Sequence, residues 1–586
     1  MQDEKRTEQS LAVPDTLNLE SRALAAMNAI VGVADEDHGY IPFFSGFLTS
    51  DPAWMSHGNW DLGSSHGRLV DALVLARTMT DSHFGEETER HYRDNLLSFF
   101  HEDGLSYRRN TFTPEELARH PARFEESASM IDQRAVLLAL DCWLQDTGDE
   151  KVGAAAQRLV AGLKHIASKD RDSWYYPGSE YTAHGWPSFD MVHTRLTPDP
   201  AAMWGRQVMP LMKYYEMTGS RDALELSENF VYNIVHRSGV FNPDGSFSGT
   251  VEHRNGHFHT RMGTLGSIAR FAADTRDAGL MNYVKRSYDW ALTQCTSYGW
   301  TPGDMADQAY EHETCTLVDS ISVALSLAKH GYPEYWEVVE RFVRGQLTAS
   351  QLMDVSWIKE RHDKSLDIPG VRTYYNVASR LRGAFAGYAA PNDFVNDGYW
   401  GRGHIMDVQT CCVGSGVRGL YSAWANVVTE QMGRVSVNLL LNRGTPWLDV
   451  LSWLPYEGRV ELHVHRDIQE LLIRIPSWTP YGQVHVKHSG SEKIVEGRNL
   501  PWINRQFMKL GRAAAGETIT VDFPIREHKT REHVMNLEFE TTWRGFDVVH
   551  ISPEGKVYPL YNRPNLPQTA PMTRTVFHHG KGALFE

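Results

Sequence analysis

A helical stripe that returns every 55 to 72 residues constrains this chain more than any other feature of its sequence. Apolar residues recur at i, i+3, i+4 and i+7 in the segments 68–79, 134–145, 206–217, 261–272 and 317–328, the spacing of helices with one buried face. Arg68, Arg134, Arg206, Arg261 and Val318 stand near their starts, separated by 66, 72, 55 and 57 residues. A sixth start falls near Arg418. Most of the segments lead through a polar break into a second helical stretch, as at 154–166 and 223–235. Six such hairpins predict a mainly α architecture with added β structure: an (α/α)6 toroid whose inner helices line a central cavity and whose loops at one end build a site. An irregular helical solenoid is the alternative. The interval from Val318 to Arg418 is 100 residues, so an insertion decorates that part of the ring.

After about residue 433 the period changes to two. The segments 435–442, 459–466, 471–476, 483–489 and 518–524 alternate or are β-branched, with turn residues between them. The expected organisation is a polar segment at 1–20, a helical catalytic domain at 21–432, and a C-terminal antiparallel β-sandwich region of one or two units at 433–586. The net charge of −15 opposes a nucleic-acid partner. No apolar run reaches membrane-spanning length. Five cysteines in 586 residues make no disulfide framework, and the polar N-terminus lacks a signal-peptide core. The expected location is the cytoplasm.

Two short segments carry unusual chemistry. Glu313 and Cys315 open one inner helix, and Cys411-Cys412 stand before Val-Gly-Ser-Gly at the entrance of the sixth. A toroid would bring these helix entrances to one rim. Glu313, Cys315, Cys411 and Cys412 would then offer three thiolates and a carboxylate, a set suited to tetrahedral Zn²⁺, with the glycines turning the backbone sharply after Cys412. Adjacent cysteines can also be structural or form a vicinal disulfide. Cys142 and Cys295 read as small buried hydrophobes.

Glu-Thr-Cys at 313–315, Cys-Cys about 95 residues later, and Ile-Arg-Ile-Pro-Ser-Trp at 473–478 together resemble glycoside hydrolase family 127, whose best-known activity is β-L-arabinofuranosidase. The resemblance spans nearly the whole chain. It implies that Glu313, Cys315 and Cys412 hold zinc and that Cys411 is the nucleophile of a retaining double displacement. A general acid is also required. The family places a glutamate upstream of Glu-x-Cys, but the stretch from Tyr298 to Tyr310 contains none. Asp304 is the expected substitute and Glu311 the second candidate.

Polar-aromatic clusters near the predicted inner-helix starts suit sugar hydroxyls and ring faces. They contain Trp60, His66, His193, His259, Arg261 and Tyr374. His193 and His259 are favoured because the family also has histidines around its sugar pocket. The expected function is hydrolysis of a short oligosaccharide or glycoside of β-L-arabinofuranoside type, with a small carbohydrate as partner and no membrane association. The family resemblance allows a homodimer. A lyase or epimerase on the same toroid, or a non-catalytic sugar-binding protein, are the rival readings.

Overall fold

The structure is a computed structural model. It describes residues 10–58, 61–108, 126–170, 173–186, 199–248, 256–303, 305, 312–396 and 406–579. The fold mixes helices with several sheets. Among the described residues, twelve helices of eight residues or more form its first part: α1 (Leu19–Gly32), α2 (His66–Thr80), α3 (Glu86–Ser98), α4 (Met130–Thr147), α5 (Glu150–Ile166), α6 (Val208–Thr218), α7 (Arg221–His236), α8 (Phe258–Asp274), α9 (Ala278–Leu292), α10 (Thr314–Lys329), α11 (Tyr335–Phe342) and α12 (Thr410–Ala425).

The even-numbered helices make a closed circuit. α2 packs on α4, α4 on α6, α6 on α8, α8 on α10, α10 on α12, and α12 back on α2. α3, α5, α7, α9 and α11 each pack outside the helix that precedes them, and α1 lies against α2 and α12. Burial follows this division. Along α4 nearly every residue from Ala135 to Trp143 is buried, whereas α7 buries one face through Ala223, Leu226, Phe230 and Ile234. The capping differs too. Asn18, Asp149, Ser220 and Asp277 cap α1, α5, α7 and α9 through their side chains. None of the six inner helices has a side-chain cap bond, so the positive ends of their dipoles are not offset there by capping side chains.

The sixth inner helix begins earlier than its sequence suggests. Cys411 and Cys412 lie inside its first turn, not ahead of it, and Gly414 and Gly416 are helical. These glycines permit close packing and do not form a sharp turn. A Cβ on Gly414 would stand 2.7 Å from the Arg68 carbonyl oxygen, and one on Gly416 would enter the Phe385 ring. Tertiary approach has overridden the helix penalty of glycine here.

The C-terminal part holds a five-stranded, a six-stranded and a three-stranded sheet. The five-stranded sheet departs from the expected antiparallel pattern: Arg434–Val437 runs parallel to Ile468–Arg474. Strand Val428–Gln431 forms a hairpin with Arg434–Val437 across residue 433. The segment 473–478 joins these sheets to the ring. Arg474 is fully buried and forms ion pairs with Glu340 and Glu337 of α11, and Ser477 Oγ donates to Glu337 at 2.8 Å. Arg344, just beyond α11, pairs with Asp547 at 3.1 Å. One hydrophobic core runs continuously through ring and sheets. Among the described residues no helix is long and apolar enough to cross a membrane.

Candidate active site

Four inner helices bring their first turns to one point. Cys315 lies one residue inside the start of α10, Cys411 and Cys412 open α12, Arg68 comes from α2 and His259 from α8. A small sheet fixes the entry to α12: Val408–Gln409 pairs with Ser45–Gly46, whose strand pairs in turn with Trp54–Ser56. The Thr410 amide donates to the Phe44 carbonyl at 2.9 Å.

The sulfur atoms of Cys315, Cys411 and Cys412 all lie within 4.8 Å of one another, and Cys315 Sγ is 3.5 Å from Cys412 Sγ. A second group shares Cys315: His259, Glu313 and Cys315 place one ligand atom each within the same limit. Cys315 is thus common to two groups, one with Cys411 and Cys412 and one with Glu313 and His259; Glu313 falls in no group with Cys411 or Cys412. Cys315 and Cys412 are buried, whereas Cys411 is partly open. Cys142 and Cys295 belong to neither group.

Electrostatics favour negative charge on this cluster. Burial opposes the Cys315 thiolate, but hydrogen bonds from Cys411 and Cys412 and the charges of Arg68 and His259 hold its pKa well below the usual thiol range. Arg68 Nη1 donates to Cys315 Sγ at 3.3 Å. Hydrogen bonding to Cys315, then burial and the Cys315 charge, push the Cys411 and Cys412 thiols upward. Burial pushes the Glu313 carboxyl up, but His257 and His259 outweigh it and hold it below its usual range. His257 Nε2 is 3.0 Å from Glu313 Oε1, and His259 Nδ1 is 2.9 Å from Asp319 Oδ2.

The donor set fits a thiophilic divalent ion. Three thiols and a carboxylate suit zinc, and the buried His259 Nε2 has no hydrogen-bond partner among the described residues.

The other expected residues are spread more widely. His66 is fully buried and sits edge-on to Tyr92 and Phe99. Arg261 is also fully buried, with Nε donating to the Ser248 carbonyl and Nη1 3.5 Å from Asp199. Tyr374 follows strand Arg372–Thr373 at the far edge of the small sheet, three strand spacings or about 14 Å from Val408–Gln409. Trp60, His193, Asp304 and Glu311 lie outside the described residues. Sequence reasoning did not assign Ser415, whose Oγ lies 3.3 Å from Cys315 Sγ, or Gln409, whose Oε1 lies 3.5 Å from Cys411 Sγ. Ser415 carried a signal: it follows Cys411 by one helical turn, so both share a face.

No protein-family model matches the chain, and no curated protein matches it in sequence. Among solved structures it is similar to a family 127 β-L-arabinofuranosidase from Geobacillus stearothermophilus T6. The TM-score is 0.56 at 16% identity, covering 91% of this chain and 80% of that one. A second family 127 β-arabinofuranosidase gives 0.58 at 14% identity, covering 92% and 85%. A structure described as a glycoside hydrolase gives 0.57 at 12%, covering 92% and 81%. Over about nine-tenths of its length, the chain has the fold of the family 127 β-L-arabinofuranosidases.

Proposed function

We propose that this protein is a retaining glycoside hydrolase that uses Cys411 as its nucleophile. The observation that carries the reading is the convergence of Cys315, Cys411 and Cys412 within 4.8 Å at the first turns of two inner helices. We read the circuit of helices as an (α/α)6 toroid and the larger C-terminal sheets as a sandwich, divided near residue 433. Thiols this close together suit a reducing compartment such as the cytoplasm.

Glu313, Cys315 and Cys412, with His259 adjacent, are the residues that would hold zinc. When bound, zinc keeps neighbouring thiols ionised at neutral pH. Cys411 is the most open of the three cysteines, which is what a nucleophile needs and a buried ligand does not. Its sulfur attacks the anomeric carbon, the C–O bond to the leaving group breaks, and a carboxylic acid gives its proton to the departing oxygen. Asp304 is the first candidate for that acid and Glu311 the second. The same group, now a carboxylate, takes a proton from water as the C–S bond is hydrolysed. Two inversions leave the configuration retained.

The substrate class is a short glycoside or oligosaccharide of β-L-arabinofuranoside type. A panel of nitrophenyl glycosides, assayed with wild type and Cys411→Ser, tests the reading. Wild type should release nitrophenol from a furanoside of this class. Cys411→Ser should lose turnover, because a serine hydroxyl is a far weaker nucleophile than a thiolate. Equal activity of the two proteins would overturn it.

A further inference from the structure

A second group of metal-ligand side chains lies in the C-terminal sheets. Asp449 belongs to strand Leu448–Ser452, and His465 follows the neighbouring strand Arg459–Val464. The two strands pair antiparallel, with Leu448 opposite Val464. His579 arrives from the segment after strand Met572–Thr575, which itself pairs with Leu11–Pro14. That segment is held beside the sheet: Phe577 is buried with Val13, Leu451 and Trp453, and Arg443 Nη1 donates to the His578 carbonyl at 2.8 Å.

Both imidazoles meet the same carboxylate oxygen. His465 Nε2 is 2.9 Å and His579 Nε2 2.8 Å from Asp449 Oδ1, with the rings edge-on at 5.3 Å. All three ligand atoms lie within 4.8 Å of one another, and Asp449 is buried. A carboxylate accepting two N–H bonds is the simpler account, but one of the two contacts does not behave as such a bond. His465 Nε2 is close to Asp449 yet out of hydrogen-bond alignment, and this buried nitrogen has no hydrogen-bond partner among the described residues. Leaving it so is costly. A cation between the three groups would engage its lone pair. The local charge allows one: Glu20 stands 3.9 Å from Arg443 and offsets it. Bonds of about 2.0–2.1 Å to a tetrahedral ion put ligand atoms about 3.3 Å apart, so the ligand atoms need open by only about half an ångström.

We propose that Asp449, His465 and His579 form a second divalent-metal site, distinct from the thiol cluster, which pins the 572–579 segment to the six-stranded sheet. Two imidazoles and one carboxylate suit zinc, nickel or copper, and not calcium or magnesium.

The test uses the full chain, stripped with chelator and titrated with Zn²⁺ and separately with Co²⁺. Wild type should take up a metal equivalent that gives no thiolate-to-cobalt charge-transfer absorption. His579→Ala and His465→Ala should lose that equivalent, or bind it about tenfold or more weakly, while keeping any thiolate absorption. His579 is exposed, so its replacement leaves the core intact. Zn²⁺ should also slow carboxypeptidase trimming of wild type but not of His579→Ala. Metal uptake identical in wild type and His579→Ala, or no uptake beyond a thiolate-bound equivalent, would overturn the site and leave an ordinary ion pair. Loss of the thiolate signal alone would count against the catalytic reading and not against this one.

Discussion

Cys315 and Cys412 hold their sulfur atoms 3.5 Å apart although 97 residues separate them in the chain. The contact exists because α10 and α12 are neighbours in the ring and both begin at the same mouth. The positive ends of two helix dipoles and the Arg68 guanidinium then act on the same sulfurs.

The charge on these sulfurs depends on Arg68. Removing an opposite charge within about 4 Å typically moves a pKa by about 1 to 3 units, here upward for a thiol. In metal-stripped protein, Arg68→Gln should raise the pH midpoint for iodoacetamide labelling of the cluster by about one unit or more, and Arg68→Lys should restore part of the shift. Unchanged midpoints would show that Arg68 does not set this charge and that the Cys411 and Cys412 hydrogen bonds and His259 carry it.

Glycine at 416 is set by space. Gly416→Ala drives a methyl group into the Phe385 ring and should cost about 1–3 kcal/mol, the usual range for overpacking. Gly266→Ala in α8 meets only Val323, at 3.6 Å, so helix propensity should make it neutral or stabilising by up to about 1 kcal/mol. Denaturant titration of both variants checks the contrast. Equal effects would mean that the α12 contact gives way freely.

A partly open cavity of about 340 Å³ is lined by Arg134, Lys213, Arg270, Asp319 and Arg418. Burial, then Arg418 and Arg270, lower the Lys213 pKa to about 7, against the pull of Asp71 and Cys142. Between pH 7 and about 10.4 the unfolded chain binds a proton at this lysine that the folded chain does not, so stability rises with pH across that window. From pH 7 to 9 the gain is about 2–3 kcal/mol. Lys213→Met should remove that rise, as read by denaturant midpoints at the two pH values. A rise of the same size in the variant would show that Lys213 stays charged when folded.

Much of this was legible because periodicity reports burial directly. The stripes that start near Arg68, Arg134, Arg206, Arg261 and Val318 all lie on inner helices, and the helix entrances that carry Cys315 and Cys411-Cys412 do bring those three sulfurs within 4.8 Å of one another. The start of α12 was misjudged because glycine reads locally as a turn, while only the packed neighbours Arg68 and Phe385 reveal why it sits in a helix. His66 and Arg261 have the chemistry of sugar ligands, yet both are fully buried, and a single position carries no record of its depth. Strand direction was equally hidden: alternation in 434–437 and 468–474 marks two half-buried strands without saying that they run parallel.

The central claim is that Cys411 forms a bond to the sugar. The most direct measurement is peptide mapping by mass spectrometry after acid quench during turnover of an activated aryl furanoside, whose good leaving group makes the second step limiting. A glycosyl mass on Cys411, absent in Cys411→Ser and accompanied by a product of retained configuration, is the result predicted. A glycosyl mass on an aspartate or glutamate, or no adduct with an inverted product, would contradict it.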